Sequence, residues 1–196
     1  MTTLHTHPFP LPPDWCGLDE AAFRTQLATY FTETFERYES LFGCLSEDAA
    51  YYEKPIALRH PLIFYFGHTA TFFVNKLLLA KLIPARINPR FEAMFAVGVD
   101  EMSWDDLNEA HYDWPTVSEV KAYRDEVRAT VLHVIAEATW MGPMGWDNPW
   151  WSILMGIEHE LIHLETSSVL IRQHRLEYVR SQPEWRAAAP ANSLVE

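Results

Sequence analysis

The chain has 196 residues, enough for one domain of ordinary size with a real hydrophobic core. Hydrophobic residues make up 48% and charged residues 21%, which excludes a disordered chain. The net charge of −12 argues against nucleic acid or an anionic membrane surface as the main partner, because both recruit basic surfaces. The opening "MTTLHTHPFPLPPDW" has neither a basic start nor an apolar run, so it does not read as a signal peptide. It reads as an extended arm over residues 1–17. Two cysteines, Cys16 and Cys44, form no metal knuckle and no disulfide framework, which points to a reduced, cytoplasmic chain.

A first helix is expected from about Leu18 to Phe42. Phe23, Leu27, Tyr30, Phe31, Thr34, Tyr38, Leu41 and Phe42 recur at steps of three and four, with Asp19 and Glu20 at the start and Gly43 as the stop. A second helix should begin at His60-Pro61 and run to about Leu82. Its segment "HPLIFYFGHTATFFVNKLLLAKLI" is apolar enough to suggest a membrane span. His68, Asn75, Lys76 and Lys81 fit a buried bundle helix better.

Residues 83–115 lack a long period and read as an ordered loop between the second and third helices. "TVSE" at 116–119 is a capping box that opens a third helix to about Ala138. Val117, Val120, Tyr123, Val127, Val131 and Val134 form its apolar side. Asn148 should cap a fourth helix with Pro149 at its first position, running to about Gln173. The expected architecture is an all-α four-helix bundle over 18–180, followed by a tail or linker over 181–196.

The chemistry concentrates in "GIEHELIHLE", residues 156–165. His159 and His163 are four apart on a helix and share a face, a geometry that can hold one divalent ion. Two ligands make a weak site, and such pairs also occur with no ion. The best third ligand is His68, an imidazole in an apolar helix that needs a polar partner. Gly67 beside it would admit a neighbouring element. Glu165 lies about 200° around the helix from His163 and is not expected to bind the same ion. Glu158 and Glu165 share a face and suit a supporting role, orienting an imidazole or pairing with Arg59 or Arg172.

His5, His7, His60, His111, His133 and His174 show no such pattern. Trp104, Trp114, Trp146, Trp150 and Trp151 suit packing better than a cofactor cage. Asp100, Glu101, Asp105, Asp106 and Glu109 read as loop charges, helix caps or a cation or partner surface. No P-loop, dinucleotide fingerprint or nucleophile-elbow motif occurs.

The spacing His159-x3-His163-x-Glu165, with His68 in a "GH" pair upstream, resembles the DinB-like metal-binding bundle. The segments "RHPLIFYFGHTATFFVNKL", "FEAMFAVGVDEMSWDDLNEAHYDWP" and "GIEHELIHLETSSVLIRQ" resemble the N-terminal domain of the 5-histidylcysteine sulfoxide synthases of ovothiol biosynthesis. They are more distantly similar to the ergothioneine-pathway sulfoxide synthases. The resemblance implies Fe(II) held by His68, His159 and His163, with open positions for O2 and the cysteine thiolate, and C–S bond formation to histidine. It also implies a second, formylglycine-generating-enzyme-like domain that supplies much of the substrate pocket. A stand-alone thiol-dependent transferase or isomerase with Zn or Ni, and a non-catalytic metal-binding or interaction module, are the alternatives; the resemblance also suggests a homodimer.

Overall fold

The computed structural model describes residues 12–96, 112–140, 142 and 147–185. Among these residues the fold is all-helical, with six α-helices and no named strand. Four are long: α1 (Glu20–Phe42), α3 (Leu62–Leu79), α5 (Val117–Glu137) and α6 (Trp151–Arg172). Two are short: α2 (Ala49–Tyr52) and α4 (Pro89–Met94). α3 packs on α5 and α6, and α1 packs on the same two, so α1 and α3 face each other diagonally. Large rings fill the gap. Phe73 of α3 meets Phe31 and Phe35 of α1 at centroid distances of 5.2 and 6.4 Å. Each such fully buried ring or aliphatic side chain stabilises the fold by about 1.5–3 kcal/mol.

The helix ends follow local chemistry. The Asp19 carboxylate accepts the Ala22 N–H at 2.8 Å and starts α1. α1 stops at Gly43, which stays in a right-handed conformation (φ −60°), so its left-handed freedom is not what ends the helix. α3 is shorter than its apolar pattern suggests. Lys81 takes φ 59°, and the Leu82 N–H bonds back to the Leu77 carbonyl, closing a Schellman-type end. By length and composition α3 is able to cross a membrane, yet 67% of it is buried inside the bundle.

The Thr116–Glu119 capping box of α5 is present in both directions. Asn148 acts one turn ahead of regular α6, where its side-chain oxygen accepts the Trp150 N–H at 3.0 Å.

α4 lies inside the stretch expected to be loop. Asn88 caps it and Pro89 opens it, while the buried Glu92 carboxylate accepts the N–H groups of Ile87 and Asn88. Residues 97–111 of that stretch, with Asp100, Glu101, Trp104, Asp105, Asp106, Glu109 and His111, lie outside the described residues, as do His5, His7 and Trp146. After α6 the chain returns to the end of α1. Leu45 and Val179 form an isolated antiparallel bridge, Gln182 donates to the Gly43 carbonyl, and Trp185 donates to Ser40. This docked segment runs through Trp185, beyond the expected bundle end at 180.

Two glycines set the spacing around the middle of the bundle. A Cβ on Gly156 would lie 2.3 Å from the Phe73 ring, so only glycine lets α6 approach α3 this closely. A Cβ on Gly67 would lie 2.4 Å from the ring of Phe95, the residue just after α4.

Candidate metal centre

α3 presents His68, and α6 presents His159 and His163 one turn apart. One ring nitrogen from each lies within 4.8 Å of the others, an arrangement able to hold a single metal ion. The ring centroids are 4.5 to 5.0 Å apart. Aromatic rings of α3 wall the cluster. Phe72 stacks on His159 at 3.7 Å and 6°, Phe64 stacks on His68 at 5.1 Å, and Tyr65 lies 5.9 Å from His163.

The environment keeps these imidazoles neutral. Burial, followed by the neighbouring imidazoles, holds His159 down at about 2. Burial and His68 hold His163 down at about 3, and burial lowers His68 as well. Neutral imidazoles have a free lone pair, which a metal needs. The Nδ1–H of His68 donates to the Phe95 carbonyl at 2.7 Å, leaving the lone pair on Nε2. Gly67 admits the Phe95 ring, so the Gly67-His68 pair builds both the ligand and its orienting contact. The Nδ1 atoms of His159 and His163 are buried without a hydrogen-bond partner among the described residues. Buried nitrogens without a protein partner beside a cluster of lone pairs fit a metal-binding site.

The other described histidines lie elsewhere. His60 stacks on Phe64, His174 bonds the Ala50 carbonyl, and His133 is exposed on α5. Of the two flanking carboxylates, Glu158 accepts a hydrogen bond from Tyr30 at 2.8 Å, and Glu165 is exposed. Trp150 is fully buried in the core, and Trp114 stacks on Tyr112 at 4.5 Å.

The residue missed in the motif is Glu160. It is fully buried and bonds the equally buried Arg124 of α5 at 2.9 Å. Arg124 also reaches Glu39 of α1 at 2.9 Å, and both the Phe66 carbonyl and the Thr69 hydroxyl of α3 at 2.8 Å. Burial pushes the Glu160 carboxyl up, and the Arg124 guanidinium pulls it back. The signal was in the register. Ile153, Ile157, Glu160, Leu164, Ser167 and Ile171 form one core stripe of α6, and Val120, Arg124, Val127 and Val131 form one of α5. Opposite charges at core positions of two helices are an ion-pair prediction.

A cavity of about 180 Å³ opens beside the cluster, lined by His68, Thr71, Phe72, Asn75, Lys76, Phe95 and Ala96. It is smaller than the usual drug-sized pocket of about 300–1,000 Å³, so it suits only a small ligand.

Fold and site together define an all-α bundle with a three-histidine centre suited to one metal ion. The chain belongs to the DinB superfamily, whose pattern matches residues 30–167. It is also 32% identical over 126 residues to ergothioneine biosynthesis protein 1 of Neurospora crassa. That match covers 62% of this chain and 14% of the fungal protein, so the chain spans about one seventh of that relative's length.

Proposed function

We propose that this bundle is the iron-binding domain of an oxygen-dependent sulfoxide synthase, with His68, His159 and His163 holding Fe(II). The carrying observation is the convergence of three neutral imidazoles from two helices in a chain similar to an ergothioneine biosynthesis protein. The donor set fits the ion. Three nitrogen ligands would hold the iron, and the bound ion would supply positions for O2 and a thiolate.

The reaction joins a thiol R–SH to an imidazole C–H with O2. A C–S bond and an S=O bond form, the S–H, C–H and O–O bonds break, and the second oxygen leaves as water. The two organic substrates supply the two hydrogens and four electrons. The product proposed is the 5-histidylcysteine sulfoxide of ovothiol biosynthesis, on the sequence segments around His68, His163 and Trp114. The chain's own residues hold the site. Phe95 fixes the His68 tautomer, Phe64 and Phe72 fix ring planes, and the apolar walls exclude water. A second domain, in cis or trans, completes the pocket for histidine. The two free thiols, exposed Cys16 and buried Cys44, suit a reducing cytoplasmic setting.

The test is anaerobic Fe(II) loading followed by metal analysis. Oxygen uptake and mass spectrometry with cysteine plus histidine then follow, in the presence of the second domain. One iron per chain and a cysteine–histidine sulfoxide support the proposal. Iron uptake with no such product removes the synthase reading. Thiol-dependent turnover without oxygen, on Zn or Ni, supports the transferase or isomerase reading instead.

A further inference from the structure

The described lining of the cavity beside His68 carries one positive side chain and no negative one, although the chain carries a net charge of −12. The positive one is Lys76. That ammonium has no ion-pair partner among the described residues, whereas Lys121 pairs with both Glu39 and Asp125. Lys76 lies eight residues after His68 on the same face of α3, with Phe72 between them at the i+4 position. Its Nζ sits 4.9 Å from the centre of the Phe72 ring, and that same ring stacks on His159.

Asn75 adds donors of the same sense. Arg86 can only donate, and its Nη1 lies 2.9 Å from Asn75 Oδ1, so the amide oxygen is turned to Arg86. The two N–H donors of Asn75 have no partner among the described residues. Arg86 is itself fixed by the buried Glu92 at 2.8 Å. An ammonium and an amide N–H2 on one wall, with no carboxylate among the described lining residues, recognise an anion.

We propose that this cavity binds the carboxylate of a small thiol acid, with Lys76 and Asn75 holding the carboxylate while the thiol reaches the histidine cluster. The inference rests on the metal-binding reading above and adds the substrate's anionic end and its anchor. The volume of about 180 Å³ accommodates a ligand of amino-acid size.

The test uses the whole chain loaded with Co(II), reading the near-ultraviolet thiolate-to-cobalt band. Cysteine and cysteamine differ only by the carboxylate. Wild type should bind cysteine about tenfold or more tightly than cysteamine, the size expected of a charge-assisted contact. Lys76→Met should abolish that preference while leaving cysteamine affinity and cobalt stoichiometry unchanged. A thermal melt and the cobalt content show that this variant is folded. A preference retained in Lys76→Met, no preference in wild type, or cobalt uptake with neither thiol coordinating overturns this inference and leaves the metal reading standing. No cobalt uptake by wild type overturns both.

Discussion

Replacing Arg124 with methionine tests the strongest structural claim, that a buried ion pair holds the helices behind the histidines. Methionine keeps most of the volume and removes the charge. Glu160, with no exposed surface, would keep only the Thr69 hydroxyl at 3.2 Å. Breaking a buried pair by removing one partner costs about 3–5 kcal/mol, because the remaining charge is uncompensated. The Phe66 carbonyl, Thr69 and Glu39 each lose a donor as well. We expect Arg124→Met to lose about 4 kcal/mol in urea denaturation, a large part of the roughly 5–15 kcal/mol total for a domain.

Adding Glu160→Leu should recover about 2 kcal/mol, since the orphaned charge is then gone. The cost should also depend on pH. Burial raises the folded-state value of Glu160 above its unfolded 4.5, and loss of Arg124 removes the leading opposing cause. Stability tied to a raised value is present at low pH and lost as pH rises through that value. Arg124→Met should therefore approach wild type as pH falls towards 4.5. A single-variant cost below about 1 kcal/mol, or a double variant equal to the sum of the singles, would refute the ion-pair account.

Three further outcomes follow from the site. His68→Ala, His159→Ala and His163→Ala should each reduce metal content from about one ion per chain to near zero by elemental analysis. Glu165→Gln, which changes an exposed side chain, should leave it unchanged. The metal-free protein should lose stability as pH falls from 6.5 towards 3, since His159 and His163 are neutral when folded and titrate at 6.5 when unfolded. Each contributes a slope of about 1.4 kcal/mol per pH unit, and a His159→Ala, His163→Ala double variant with an equally steep urea profile would contradict this. Gly67→Ala puts a Cβ 2.4 Å from the fully buried Phe95 ring. It should cost about 1–3 kcal/mol and weaken metal affinity roughly 10–100-fold, because Phe95 must move while its carbonyl holds His68. Unchanged affinity would show that the Phe95 contact does not orient the ligand.

Much of the molecule is legible in its sequence because local and tertiary demands agree there. The Thr116–Glu119 box, the apolar stripes and the His159–His163 pair each follow a helical period, and His68 follows from the cost of a buried imidazole. Two parts are less legible for different reasons. α4 spans only Pro89–Met94, too short for a period to show, although Asn88-Pro89 carries the same start signal as Asn148-Pro149. Glu160 is hidden because Glu158 and Glu165 share the face beside the histidines, whereas a carboxylate on the core stripe carries no ligand signal. At about 100° per residue those two lie on the side of α6 away from the core, with Glu160 among Ile157 and Leu164.

That placement gives α6 two linked roles. His159 and Glu160 are adjacent in sequence, so they point about 100° apart, one towards the cluster and the other into the core. Glu160 is tied through Arg124 to Thr69 and the Phe66 carbonyl, and these flank His68 on α3. A rotation or slide of α6 against α3 that moved His159 and His163 from His68 would therefore pull Glu160 off a guanidinium it cannot replace with water. A buried ion pair need not add net stability over an apolar pair of equal volume. Its consequence here is restriction: it penalises alternative registers of α3, α5 and α6, and one register brings the three imidazole nitrogens within 4.8 Å. The core charge and the histidine cluster are thus two readouts of one helix register.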